Sequence, residues 1–132
     1  MEANTLQENK LQPMNPEWKE KWCTALESGD YSQIQDKLRS GESGYCCLGV
    51  LCDLVKDEVG ARFNDLDGAF VLENGNSFLI TPPGKVFDFV GLKERQMSSK
   101  TDQVTVETIL MIMNDKRNKS FTEIAQWIRE NL

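Results

Sequence analysis

The apolar positions of this chain form one dense run and several sparser stripes, and their spacing predicts the elements. The dense run is Gly44-Tyr-Cys-Cys-Leu-Gly-Val-Leu-Cys-Asp-Leu-Val55. Within it Cys47, Leu48, Val50, Leu51, Leu54 and Val55 cover much of a helical circumference, the pattern of a helix buried on most sides. Its reach through Val59 favours a helix over a strand. Ser43 or Gly44 would cap it, and Asp53, Lys56, Asp57 and Glu58 mark its wet end. Gly49 sits mid-helix, where glycine costs roughly 1 kcal/mol against alanine. The usual reason for such a glycine is close approach of a neighbouring element.

Trp18, Trp22, Ala25 and Leu26 recur at i, i+4, i+7 and i+8 and predict an amphipathic helix. Asn15-Pro16 supplies its cap and first helical residue, and Ser28-Gly29 stops it. From Asp30 to Gly44 the chain is polar apart from Tyr31, Ile34 and Leu38, so short extended pieces crossing the surface are expected, with a turn near Gly41.

After Gly60 the period shortens. Ala69–Leu72 and Ser77–Ile80, joined by Glu73-Asn-Gly-Asn76, predict a hairpin, and Arg62 and Phe63 begin a third strand. Val86, Phe87 and Val90 mark a short helix ended by Gly91, and Lys93 to Asp102 reads as a polar loop. Val106, Ile109, Leu110 and Met113 share one face of a helix ending about Asn114-Asp115. A polar connector then leads to Ser120-Phe-Thr-Glu123, a capping box, and to the stripe Phe121, Ile124, Ala125 and Ile128. These two helices make an αα-hairpin. The expected fold class is α+β: a mainly helical single domain over residues 14–132, with a buried central helix and a small antiparallel sheet. Residues 1–13 are polar and aperiodic, and read as a flexible N-terminal tail.

Composition narrows the function classes. At 132 residues and 39% hydrophobic, the chain can bury a core without metal or disulfide staples. No apolar stretch is long enough to cross a bilayer, and the start lacks the charged and apolar regions of a signal peptide. A cytosolic life with reduced thiols is the expectation. The net charge of -6 argues against nucleic acid as partner, because that binding rests on clustered lysine and arginine. The densest basic cluster, Lys116-Arg117-Asn118-Lys119, is short and reads as a helix connector.

The four cysteines raise metal and nucleophile chemistry. Cys46, Cys47 and Cys52 fan apart at helical spacing and lack the paired spacing of zinc ligands, so no metal is expected. Cys46 lies at a helix N-terminus, where the dipole lowers a thiol pKa. The chain has no histidine, which removes Cys-His dyads, Ser-His-Asp triads and histidine bases. Phosphate-binding glycine motifs are absent, and Asn64-Asp-Leu-Asp67 matches only half a calcium loop. No cofactor is expected, and an enzyme becomes the minority reading, its best form a cysteine-dependent enzyme or redox protein using Cys46. The residues suited to gripping a polar ligand or a partner are Tyr31, Gln33 and Arg39 on the loop before the central helix, with Asn114 and Asp115 at the corner after the fourth helix.

Two segments also carry a resemblance. Trp22…Ala25-Leu26-x-Ser28-Gly29-x-Tyr31-x-Gln33…Leu38-Arg39…Tyr45-Cys-Cys-Leu-Gly-Val-Leu-Cys-Asp53 resembles a family of small accessory proteins of tailed bacteriophages and prophages. Leu110-x-x-Met113-Asn114-Asp115…Ser120-Phe121-x-Glu123-Ile124-Ala125…Ile128 is similar to that family's closing segment, and Pro83 to Leu92 to a piece between. The N-terminal tail and the middle hairpin depart from it. The resemblance implies a viral protein working in the cytoplasm of an infected bacterium, and it implies no activity. The leading expectation is therefore a non-enzymatic accessory protein that inhibits or sequesters a host factor, such as a defence component. It would do so by contacting a host protein or by capturing a small polar, nucleotide-like ligand. A virion or assembly component is the further alternative. Trp127 and Phe89 flank their helical stripes and suggest a homo-oligomer.

Overall fold

A computed structural model describes residues 14–42, 44–92 and 105–132. The expected tail (1–13) and the loop from Lys93 to Asp102 lie outside the described residues, and the cap expected at Ser43 or Gly44 is instead Cys46, because Gly44 is taken up in a strand. Among the described residues the order is α1 (Pro16–Glu27), β1 (Ser32–Gln33), β2 (Arg39–Ser40), β3 (Gly44–Tyr45), α2 (Cys47–Val59), β4 (Ala61–Phe63), β5 (Phe70–Leu72), β6 (Ser77–Phe78), α3 (Gly84–Val90), α4 (Val106–Asp115) and α5 (Phe121–Asn131). The fold is α+β, with a buried central helix and a C-terminal αα-hairpin.

Helix α2 is the axis of the core. Cys47, Leu48, Gly49, Val50, Leu51, Cys52, Val55 and Val59 are all buried, as its near-continuous apolar surface requires. Helices α1, α3 and α4 and strand β4 pack on it. Trp22 of α1 donates its indole N–H to the Cys47 carbonyl at 3.0 Å, so a buried polar atom ties α1 to the axis. Gly49 faces Leu38: a Cβ there would sit 1.9 Å from the Leu38 carbonyl oxygen. The chain before β2 thus runs directly over the helix, and only a glycine admits it.

Helix α1 lies along α5, where Arg129 pairs with Glu20 at 3.0 Å and with Glu27. Met14 donates its N–H to the Leu132 carbonyl at 3.2 Å and Asn15 to Val90 at 2.9 Å, which pins the start of the described chain to α5 and α3. The capping box at Ser120 and Glu123 is formed.

There are two small sheets among the described residues. Strands β4, β5 and β6 form the expected antiparallel hairpin with its third strand, the turn passing through Gly75 at φ 93°. The polar run before α2 makes a second sheet in the order β1-β3-β2, parallel between β1 and β3 and antiparallel between β2 and β3. Periodicity misses it because strands of two residues have no alternation to read. A bond from Leu38 N–H to the Leu79 carbonyl at 2.9 Å links the region of β2 to the end of β6.

Candidate functional site

The five residues singled out from sequence fall into three places. Gln33, Asn114 and Asp115 come together where β1 meets the end of α4 and the start of α2. Asn114 is the one buried polar residue among the described core, at 1% exposure. Its Oδ1 accepts from the Cys47 backbone N–H at 3.3 Å and from Gln33 Nε2 at 2.8 Å. Its Nδ2 donates to the Ile34 carbonyl at 2.8 Å and to Asp115 Oδ1 at 2.7 Å. The two backbone partners fix which way the amide points. All four hydrogen bonds of a carboxamide are thereby made. Gln33 Nε2 also donates to the Lys119 carbonyl at 2.8 Å, and Asp115 Oδ1 accepts from the Asp36 N–H at 3.1 Å. Asp36 takes a left-handed φ of 74° to present that N–H.

This cluster holds the fold together. Asn114 joins the first turn of α2 to β1, the residue after it and the end of α4, and Gln33 extends the network to the connector between α4 and α5. Because Cys47 opens α2, Asn114 also satisfies one of the orphan N–H groups of a buried helix end.

Tyr31 lies elsewhere and donates its hydroxyl to Asp53 Oδ2 at 2.7 Å. Lys56 Nζ approaches Asp53 Oδ1 at 3.0 Å. Burial, and then the Asp53 carboxylate, push the Tyr31 hydroxyl well above the ordinary phenol range. Tyr31, Tyr45, Phe63 and Phe70 form a row of edge-on and tilted rings, with centroids 5.0, 5.7 and 5.1 Å apart in turn.

Arg39 lies against this row. Its guanidinium carbon is 5.6 Å from the Tyr45 ring and 5.3 Å from Phe63, in cation–π range. Among the described residues its one ion pair is long, 3.7 Å to the exposed carboxylate of Asp65, and its buried Nε has no hydrogen-bond partner. Of the five residues, Arg39 alone keeps an unspent donor of this kind. Gly68 is what lets the chain bearing Asp65 come so near: a Cβ there would meet the Arg39 carbonyl at 2.2 Å.

The thiols are structural. Cys46 caps α2, its Sγ accepting from the Gly49 N–H at 3.3 Å. Burial pushes its pKa up to about 11, against the lowering by that backbone contact. Burial outweighs the helix-end effect here, so the thiol keeps its proton at neutral pH. Burial also pushes the Cys47 and Cys52 thiols up, and Cys47 and Cys23 turn their sulfurs to the Leu110 and Ala125 carbonyls.

Sequence reasoning placed Asp53 and Lys56 only at the wet end of the central helix, without their link to Tyr31, and missed the aromatic row. Asp53 carried a signal, since it is the first charged residue after the apolar run that begins at Gly44; the row did not, because its rings come from four separate segments. Residues 14–132 match the family described as a domain of unknown function, DUF8296, and the chain belongs to that family. No curated protein and no solved structure matches it.

Proposed function

We propose that the protein is a non-enzymatic accessory protein that acts by binding a host protein; the phage resemblance supports a target in the cytoplasm of an infected bacterium. The observation that carries the choice of a protein contact over small-molecule capture is the closure of the Gln33–Asn114–Asp115 cluster. The Asn114 carboxamide, the group best suited to a polar ligand, is saturated by the chain's own backbone and side chains. The buried, protonated Cys46 thiol weighs against the cysteine-dependent enzyme in the same way. One observation favours a second reading, capture of a small anionic ligand: the unpartnered Nε and long ion pair of Arg39 on its aromatic row.

The test is affinity capture from infected host cells, with mass spectrometry of both proteins and small molecules. A single host protein recovered in stoichiometric amount, with no small molecule, is the expected result. A nucleotide-like or other anionic compound recovered with the wild type and lost with Arg39→Ala would replace it by the second reading.

A further inference from the structure

The C-terminal hairpin leaves a groove of about 320 Å³ between α4 and α5, its apolar lining made by Ile109, Ile112, Met113 and Trp127. Arg117 and Lys119 stand on its rim. Three features make it more than a gap between helices. Ile112 is 39% exposed, one of the few large apolar side chains in the described structure left to solvent. The basic rim is also built on a fixed backbone. Lys116 and Arg117 donate their N–H groups to the Ile112 carbonyl at 2.9 and 3.0 Å, Lys119 donates to Met113 at 2.9 Å, and Gln33 holds the Lys119 carbonyl. Finally, among the described residues no ion pair takes the side chain of Arg117 or Lys119. Glu123, whose carboxylate feels Lys119, is committed to the Ser120 N–H at 2.9 Å.

A preorganised site loses little entropy when it binds, and tryptophan and arginine are the residue types that dominate binding energy at interfaces. The densest basic cluster of a chain with net charge -6 borders this apolar lining. That charge contrast selects the occupant. We infer that the α4–α5 groove docks an acidic amphipathic helix of a partner protein, its apolar side chains on Ile109, Ile112, Met113 and Trp127 and its carboxylates against Arg117 and Lys119. A self-complementary dimer through the same groove would bring the two basic rims together, at a cost in like-charge repulsion. The groove beside α1, lined by Glu20, Lys21, Asp30 and Tyr31 among others, carries both signs on its rim and selects no such partner.

This inference rests on the protein-contact reading, and the test separates the two. The probe is a synthetic helical peptide with leucines at i, i+3, i+4 and i+7 and glutamates elsewhere; its control has lysine for each glutamate. Titrated into full-length protein, the glutamate peptide is expected to shift the methyl resonances of Ile109, Ile112 and Met113, and the lysine peptide to leave them in place. Arg117→Glu with Lys119→Glu, which keeps the backbone bonds, should weaken the glutamate peptide at least roughly tenfold and admit the lysine peptide. Ile112→Asp should abolish both responses while the remaining spectrum stays folded. Equal binding of the two peptides, shifts confined to another surface, or a concentration-dependent dimer broken by Ile112→Asp would each overturn the inference. A host protein captured equally by wild type and by the charge-reversed variant would remove the groove and leave the partner-binding reading standing. Peptide binding in the groove with no host protein captured would uphold the groove and count against that reading.

Discussion

Two side chains show how much of this protein turns on single atoms. Asn114 is buried and makes four hydrogen bonds, two of them to the backbone of Cys47 and Ile34. Asn114→Ala strands the Cys47 N–H and the Ile34 carbonyl in the interior, at about 1–3 kcal/mol for each buried group. Chemical denaturation should register a loss of roughly 3 kcal/mol, and a loss below 1 would mean water takes the place of the amide. Cys46 is the converse case, a reactive group made inert by its surroundings. With its pKa pushed up to about 11 from 9.0, its ionised fraction at neutral pH falls about a hundredfold below an ordinary thiol's. Thiol titration of native protein should leave Cys46 unmodified until denaturant is added; prompt alkylation in the native state would revive the cysteine-dependent enzyme.

At the scale of elements, helix α2 and the segment that crosses it are made for one another. Gly49 has the poorest helix propensity of any residue in α2, and replacing it with alanine in an isolated helix would gain roughly 1 kcal/mol. In the folded protein the new methyl would lie 1.9 Å from the Leu38 carbonyl, which also accepts the Cys46 N–H at 3.2 Å. Backbone cannot yield as a flexible side chain does. Gly49→Ala should therefore destabilise by about 3 kcal/mol or more, measured as a lower denaturation midpoint or loss of soluble protein. A stabilised variant would show that the chain at Leu38 does not press on α2 in solution. The C-terminal hairpin makes a smaller test of the same kind: Ser120→Ala removes the acceptor of the Glu123 N–H and should cost about 1 kcal/mol.

Across the whole molecule, the buried titratable groups share one sign. Burial raises the thiols of Cys23 and Cys46 to about 11, and also raises Cys47, Cys52 and the Tyr31 and Tyr45 hydroxyls. Above pH 9.0 the unfolded chain releases these thiol protons while the folded chain keeps them, so the folded state is stabilised below that pH and loses stability as pH rises toward 11. Cys46 alone accounts for on the order of 2 kcal/mol over that window. Thermal melts should fall steeply from pH 9.0 to 11, and Cys46→Ser should flatten the fall. A melting temperature level through that range would mean that the thiols are open to water. Among the described residues no helix is long and apolar enough to cross a membrane.

The sequence by itself determined the helices, their ends, the antiparallel hairpin and the buried axis. Those depend on periodicity, capping residues and turn glycines, which are local and repeat within a few residues. Gly49 even announced a close contact, though not with Leu38. The mixed sheet was beyond reading, since its strands are two residues long and β1 pairs with β3 across the length of β2. The site residues divided for the same reason. Gln33 and Asn114 looked like ligand-gripping groups because sequence shows a carboxamide's donors and acceptors but not what faces them. Only the tertiary structure, by carrying α4 back over the start of α2, decided that these groups meet backbone rather than solvent. It likewise decided that Arg39 does not, and that Arg117 and Lys119, an unremarkable connector in sequence, stand beside an open apolar groove.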